Sequence, residues 1–351
     1  MKTISRTAIG SAVLAAAVCC ATTASAGQGP AGASCDRACL LGIADTYLAA
    51  LMAHDPSKAP MSPNAKFTEQ SKVLAVGDGL WKSAVTAPTT FKIPVPDPVS
   101  GQIGMIVMMK AAASGFPAPA AGRGAPPAGA DPNAPADIQL ALRLKVVNRQ
   151  IAEAEHVIAR IGATSQLNAL KTPRPAFMQT VPKGDRTPRG IMLVIANAYY
   201  DALVLGDGEL APFADDCGRR ENGMHTAGVG RPADAPPPPP GFGGTPTGCA
   251  EQLTARAMTY IGSIDLRRIW IADEEKGLVF AYSMFRHPME QKSITILNKD
   301  GSTTERPMNF APFDLEAAHI YKISGGKIHE IEAMGFSLPL YSKNGWSPFT
   351  K

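Results

Sequence analysis

Between residues 215 and 222 the chain gathers Asp215, Asp216, Arg219, Arg220, Glu221 and Asn222. Carboxylates beside guanidinium and amide groups are the parts of a general acid–base site, in which one group moves a proton and another stabilises the negative charge that develops. Asp216 and Glu221 are the candidate acids or bases, and Asn222 is a candidate stabiliser. A disulfide at Cys217, inside the cluster, would hold it rigid, as a preorganised site requires. The plainer reading is that Glu221 and Asn222 pin a loop to neighbouring backbone.

Further along, His287 ends an apolar run at Met-Phe-Arg-His-Pro, where an imidazole could face a cavity mouth and serve as the base. Arg267, Arg268 and Trp270 precede a turn at Asp273. Alternation along a strand puts Arg268 and Trp270 on one face, suited to an anionic or aromatic ligand or to an interface between lobes. His319 and Tyr321 share another strand face, and Tyr199 lies in a helical stripe that could line the same cavity or simply pack.

Other chemistries lack their motifs. No G-x-S-x-G elbow occurs, so a serine hydrolase of that kind is not expected. No G-x-x-x-x-G-K-[ST] occurs, and no G-x-G-x-x-G follows a strand, so nothing supports nucleotide binding. The six histidines are scattered with no pair at i, i+4. We expect no metal and no cofactor.

The elements that must position these residues recur along the chain. Ile43-Ala44-Asp45-Thr46-Tyr47-Leu48-Ala49-Ala50-Leu51 matches Ile195-Ala196-Asn197-Ala198-Tyr199-Tyr200-Asp201-Ala202-Leu203 at an offset of 152, and Glu69-Gln70 falls on Glu221-Asn222 at the same offset. Asp97 with Gly101 matches Asp273 with Gly277 at 176, and Glu153 and Glu155 match Glu330 and Glu332 at 177. Four matched blocks in one order read as two copies of one fold. Each copy begins with an amphipathic helix, carried by Leu40, Leu41, Ala44, Tyr47, Leu48 and Leu51 in the first and by Ile191, Ile195, Ala198, Tyr199 and Ala202 in the second. An irregular acidic stretch follows, then strands over 104–110, 140–147, 278–285, 317–323 and 327–334, joined by tight turns. The expected class is α+β: two tandem domains, each a curved antiparallel sheet packed on N-terminal helices. They would span 35–162 and 190–351, with a Pro-rich linker at 163–189. An Ala/Pro/Gly insertion at 111–136 and a Pro-rich loop at 228–248 are expected to be flexible.

Lys2 and Arg6, a small-residue apolar stretch and Ala24-Ser25-Ala26 fit a signal peptide over 1–26. The mature protein is then periplasmic or secreted, with no membrane association after cleavage. The net charge of +4 falls to +2 once Lys2 and Arg6 are removed, and no basic stripe is present, which argues against nucleic acid as a partner. Cys35, Cys39, Cys217 and Cys249 remain, an even number in an oxidising compartment. Of three connectivities we favour Cys35–Cys39 and Cys217–Cys249, the second closing the Pro-rich loop.

The order of helix, acidic loop, "DEEKG" hairpin and closing "YKISGGKIHEIEAM" resembles the nuclear transport factor 2-like cone superfamily, including its SnoaL-like polyketide-cyclase branch. More narrowly, "FTEQSKVLAVGDGLW", "RLKVVNRQIAEAE", "DDCGRRENG" and "LPLYSKNGW" resemble a family of secreted two-copy proteins of unassigned function, common in fungi. That family's pattern has Glu-Asn in both copies, whereas the first copy here has Glu69-Gln70, which would weaken a site in that half. The resemblance implies a cone fold and an internal pseudo-dimer of the two domains through their outer sheet faces. It leaves two functions open. One is an exported protein binding a small apolar or aromatic molecule, with cofactor-free isomerase, lyase or hydrolase activity. The other is a ligand-binding or scaffold protein without catalysis. A desolvated carboxylate beside His287 in one cavity favours the first; a cavity lined by apolar groups or filled by side chains favours the second.

Overall fold

The computed structural model describes residues 34–112, 134–229 and 248–346. The expected signal peptide and most of the two Pro-rich segments lie outside the described residues.

Helix α1 (Arg37–Met52) starts at Asp36, whose carboxylate accepts a hydrogen bond from the Cys39 amide at 2.9 Å. It buries Leu40, Ala44, Tyr47, Leu48 and Leu51, the stripe expected from the spacing. It is followed by β1 (Met61–Glu69), β2 (Lys72–Leu74), α2 (Leu80–Ser83), β3 (Ala84–Thr86), β4 (Lys92–Asp97), β5 (Gln102–Ala111), β6 (Ala136–Val147) and β7 (Gln150–Arg160). Short helices α3 (Thr164–Ala169) and α4 (Pro175–Met178) lead to α5 (Arg189–Leu205). Then come β8 (Phe213–Glu221), β9 (Met224–Gly228), α6 (Cys249–Thr254), β10 (Ser263–Asp273), β11 (Leu278–His287), β12 (Ser293–Leu297), β13 (Thr303–Pro307), β14 (Phe313–Ser324) and β15 (Lys327–Leu338).

These strands form an α+β fold of two cone-like units. The first sheet runs β2-β1-β7-β6-β5-β3 with β4 also on β5; the second runs β9-β8-β15-β14-β11-β10. Each is antiparallel except for one parallel pair, β1 with β7 and β8 with β15. The stretches expected to be irregular and acidic after each helix are thus largely strands, β1 and β8. Their charges masked the period: Asp215 and Asp216 are exposed while Cys217, Gly218 and Arg219 are buried. The stripe of α5 is also rotated from the expected one. Met192, Ile195, Ala196, Tyr199 and Tyr200 face inward, whereas Ile191 is exposed.

One face of each sheet buries its helix, giving two apolar cores. The opposite faces share a third. Ile93, Val95, Ile106, Met108, Ala141 and Val157 of the first sheet pack in one cluster with Ile271, Leu278, Phe280, Tyr282, Ile320 and Met334 of the second. Paired ion contacts tie the sheets at the rim: Arg37 holds Asp273 at 2.5 Å, and Arg189 holds Asp97 at 2.7 Å. The hairpin β12–β13 stands as a separate two-stranded sheet, its Ile294 and Ile296 packed with Ala255, Met289 and Met308.

Disulfides join Cys35 to Cys39 and Cys217 to Cys249, the second tying β8 to α6. Among the described residues no helix is long and apolar enough to cross a membrane.

Candidate functional site

Each cone holds a polar centre under its helix. In the first, Glu69 at the end of β1 accepts the Leu80 amide on both oxygens, at 3.1 and 2.9 Å. The carboxylate lies so close to Gly79 that a Cβ there would sit 2.2 Å from Oε1. His156 Nδ1 lies 3.0 Å from Glu69 Oε2, and His156 Nε2 lies 2.9 Å from the Tyr47 hydroxyl. A carboxylate oxygen accepts, so Nδ1 donates to Glu69, and in the neutral imidazole Nε2 then accepts from Tyr47. The result is a hydroxyl–imidazole–carboxylate relay with all three side chains buried. Burial and the nearby Glu69 charge hold the Tyr47 phenol well above its ordinary pKa.

In the second cone the Tyr200 hydroxyl lies 3.2 Å from His319 Nδ1. Beside them the buried Arg219 donates to Tyr199 at 3.4 Å, to Thr226 at 3.0 Å and to Gln252, and pairs with Glu221 at 2.9 Å. Burial, assisted by the Arg219 charge, pushes His319 down to about 3 and keeps it neutral. Burial pushes the Tyr199 phenol up to about 12, against the pull of Arg219. The two centres are built on different strands. Leu142 faces His156 across β6 and β7, while the corresponding pair across β14 and β15 is His319 and Ala333. The imidazole has moved to the neighbouring strand, and the small or apolar partner has moved the other way.

Rings fill the space above the second centre. His287 stacks on Phe313 with centroids 4.2 Å apart and on Tyr260 at 5.7 Å. Phe285 stacks on His319 at 5.7 Å, which in turn stacks on Tyr321 at 5.8 Å. At the Tyr260 end a cavity of about 100 Å³ is lined by Thr259, Tyr260, Gly262, Pro288, Met289 and Gln291, among others. A larger, open groove of about 390 Å³ lies outside the cone, between α5 and β10. The chemistry and the room are therefore in different places. The fully enclosed acid–base groups are packed against other side chains, and the wall of the groove between α5 and β10 contains no carboxylate or imidazole.

The residues singled out from the sequence separate accordingly. Tyr199 and His319 come together, with Arg219 and Glu221 beside them. His287 sits in the ring stack on β11, three strands from β8 in the sheet order. Asp216 is exposed and bonds His329 at 2.7 Å. Asn222 is a backbone pin: its amide donates to Gly335 O at 3.1 Å and accepts from Gly335 N at 3.0 Å. Gln70 does the same to Ile158, at 2.9 and 2.7 Å, so the departure from Glu-Asn in the first copy leaves this contact intact.

Arg268 does not share a ligand face with Trp270. Two register shifts interrupt β10, and Leu266 takes a left-handed φ of 48°. The shifts turn Arg268 into the space between the sheets, where it binds Glu155 and lies 3.7 Å from Glu316, while Arg267 joins Trp270 in the groove. The sequence reading missed His156. Its only signal was its place directly after Glu153-Ala154-Glu155 in the repeated block, where the second copy has Ala333.

Residues 185–335, less than half of the chain, match a family model described as "Domain of unknown function (DUF8021)". No curated protein matches. Solved structures similar to this chain include AclR, a candidate hydroxylase from Streptomyces galilaeus, at 16% identity and TM-score 0.24 over 42% of this chain and 92% of that one. A candidate polyketide cyclase from a Silicibacter species is similar at 12% identity and TM-score 0.25, over 41% of this chain and 88% of that one.

Proposed function

We propose that this is an exported cone-superfamily protein that binds a small apolar or aromatic molecule at the mouth of its second cone, without turnover. The observation that carries this reading is the cavity walled by Tyr260, whose ring stacks on His287, which in turn stacks on Phe313. Its volume of about 100 Å³ is below the ~150 Å³ that takes up a benzene ring, so a ring must displace a side chain such as Met289 as it enters. Tyr260 and His287 would stack on the ligand.

Catalysis is the weaker alternative: the groups of the second polar centre are poorly poised for it, and Glu316, raised by burial to about 7, is engaged by Ser71 and Arg268 and lines neither cavity. Acid–base work near neutrality needs pKa values near neutrality, and His319 at about 3 and Tyr199 at about 12 are displaced in opposite directions. Asp216 and Glu221 are already engaged by His329 and Arg219. Tyr199, His319 and Asn222 then support the site, and Trp270 and Arg268 lie outside it. The proposed arrangement is an internal pseudo-dimer of the regions 35–162 and 190–351, supported by the shared apolar cluster and the two exchanged ion pairs. Native mass spectrometry of the protein taken from its host's exported fraction tests the reading. A mass excess that is lost on denaturation and absent from Tyr260→Ala supports it. A ligand retained equally by Tyr260→Ala contradicts it.

A further inference from the structure

The groove between α5 and β10 is built differently from the cone mouth. We propose that it is a second ligand site, for a flat aromatic molecule carrying an anionic group. Its walls are Leu193, Val194 and Ile269, with Trp270 on one side and Asn197 and Arg267 at the polar end. A volume of about 390 Å³ lies within the range of ordinary small-molecule sites, roughly 300–1,000 Å³.

The apolar part is unusually exposed for its composition. Trp270 is 42% exposed on an edge strand, and Val194, facing it from the helix, is 65% exposed. The backbone carbonyl of Trp270 accepts from Arg189 at 2.8 Å, and the Arg143 guanidinium covers one side of the indole, 5.5 Å from its centroid. A rigid aromatic plane with one open face stacks another ring at little entropic cost.

The polar end selects charge. Arg267 Nη1 bonds Asp201 at 2.6 Å and Asn197 at 3.0 Å, and Nε bonds the Ile264 carbonyl at 2.9 Å. Among the described residues no hydrogen bond engages its Nη2. The guanidinium is thus held in place with one donor group left for a ligand. Its partner Asp201 is half-exposed, and an exposed ion pair of this kind contributes only about 0–1 kcal/mol, so an incoming carboxylate or sulfonate can share or replace it. A cation at one end of an aromatic floor fits an aromatic anion better than a neutral hydrocarbon.

Anilinonaphthalene sulfonate has both features and is the probe of choice. Titrated into the full chain, it should bind saturably and accept energy from tryptophan. Trp270→Ala should weaken binding by about tenfold, because the stacking plane is lost. Arg267→Met should weaken binding by about tenfold or more, the loss of one charge-assisted hydrogen bond. Val194→Glu changes an exposed helix position, leaves the core alone and should abolish binding by placing a carboxylate in the groove. Tyr260→Ala should leave this binding unchanged, which separates the groove from the cone mouth. Undiminished affinity in both Arg267→Met and Val194→Glu, or no binding by millimolar dye, would overturn the proposal.

Discussion

Phe280 packs on Gly104 so closely that a Cβ at residue 104 would lie 2.2 Å from the Phe280 Cγ. The two residues sit at the same place in their copies, at an offset of 176. Residues that meet their own counterparts lie near a two-fold axis, where a true homodimer must use one side chain twice. Duplication within one chain removes that constraint and allows glycine to face phenylalanine. Gly104→Ala should therefore destabilise the protein by roughly 1–3 kcal/mol through overpacking. In chemical denaturation, the loss should be smaller when Phe280→Leu is already present; strict additivity would mean that the two do not share the contact.

The exchanged ion pairs follow the same symmetry. Arg37 and Arg189 open equivalent helices at an offset of 152, and each reaches the hairpin aspartate of the other copy. Asp97 also accepts the Val99 and Ala272 amides, at 3.0 and 3.1 Å. Arg37→Met and Arg189→Met should each lower stability by about 1–3 kcal/mol, because each leaves a buried carboxylate short of its counter-charge. A thermal melt in which one variant loses several degrees and the other none would contradict equivalent roles.

Glu316 sets a pH dependence at the contact between the sheets. Burial pushes its carboxyl up from 4.5 to about 7, and Arg268 opposes that rise only in part. Glu155 adds to it, while the Ser71 hydroxyl donates to the ionised form. The folded state thus keeps a proton that the unfolded chain releases above about 4.5. This contribution is complete below 4.5 and is lost as pH rises through 7, at most about 3 kcal/mol. Lys322, pushed down to about 8 by burial and Lys276, titrates above that window. Unfolding midpoints should fall between pH 5 and pH 8, and Glu316→Gln should flatten the slope. A wild-type slope of the opposite sign would rule out Glu316 as its source.

The turn at Asn148-Arg149 takes left-handed φ values of 51° and 62°, and its counterpart is Gly325-Gly326 at 54° and 75°. Arginine in that region costs roughly 1–2 kcal/mol, of which the greater freedom of glycine in the unfolded chain returns part. Arg149→Gly should be neutral or stabilising by up to about 1 kcal/mol. A destabilisation of that size would show that the Arg149 side chain makes a contact worth more than the strain.

Local rules made much of the fold legible. Helical spacing located α1 and α5, the Asp–Gly turns located two hairpins, and of the three pairings that four cysteines allow the favoured one is present. The repeat supplied the correspondence that makes Gly104, Phe280, Arg37 and Arg189 intelligible. What stayed hidden depends on partners distant in sequence. β1 and β8 look irregular because their charges are satisfied by other strands, and Arg268 left its expected face because bulges in β10 broke the alternation. His156 carries no local sign of its role, since Glu69 and Tyr47 reach it only after the sheet has closed.

The central claim is that a small aromatic molecule enters at Tyr260 and stacks against His287. Imidazole proton–nitrogen NMR during a titration with phenol tests it most directly. We expect the His287 ring signals to move saturably, those of His329 on the far strand to stay, and Tyr260→Ala to abolish the response. Saturable binding that leaves His287 unmoved would contradict the account.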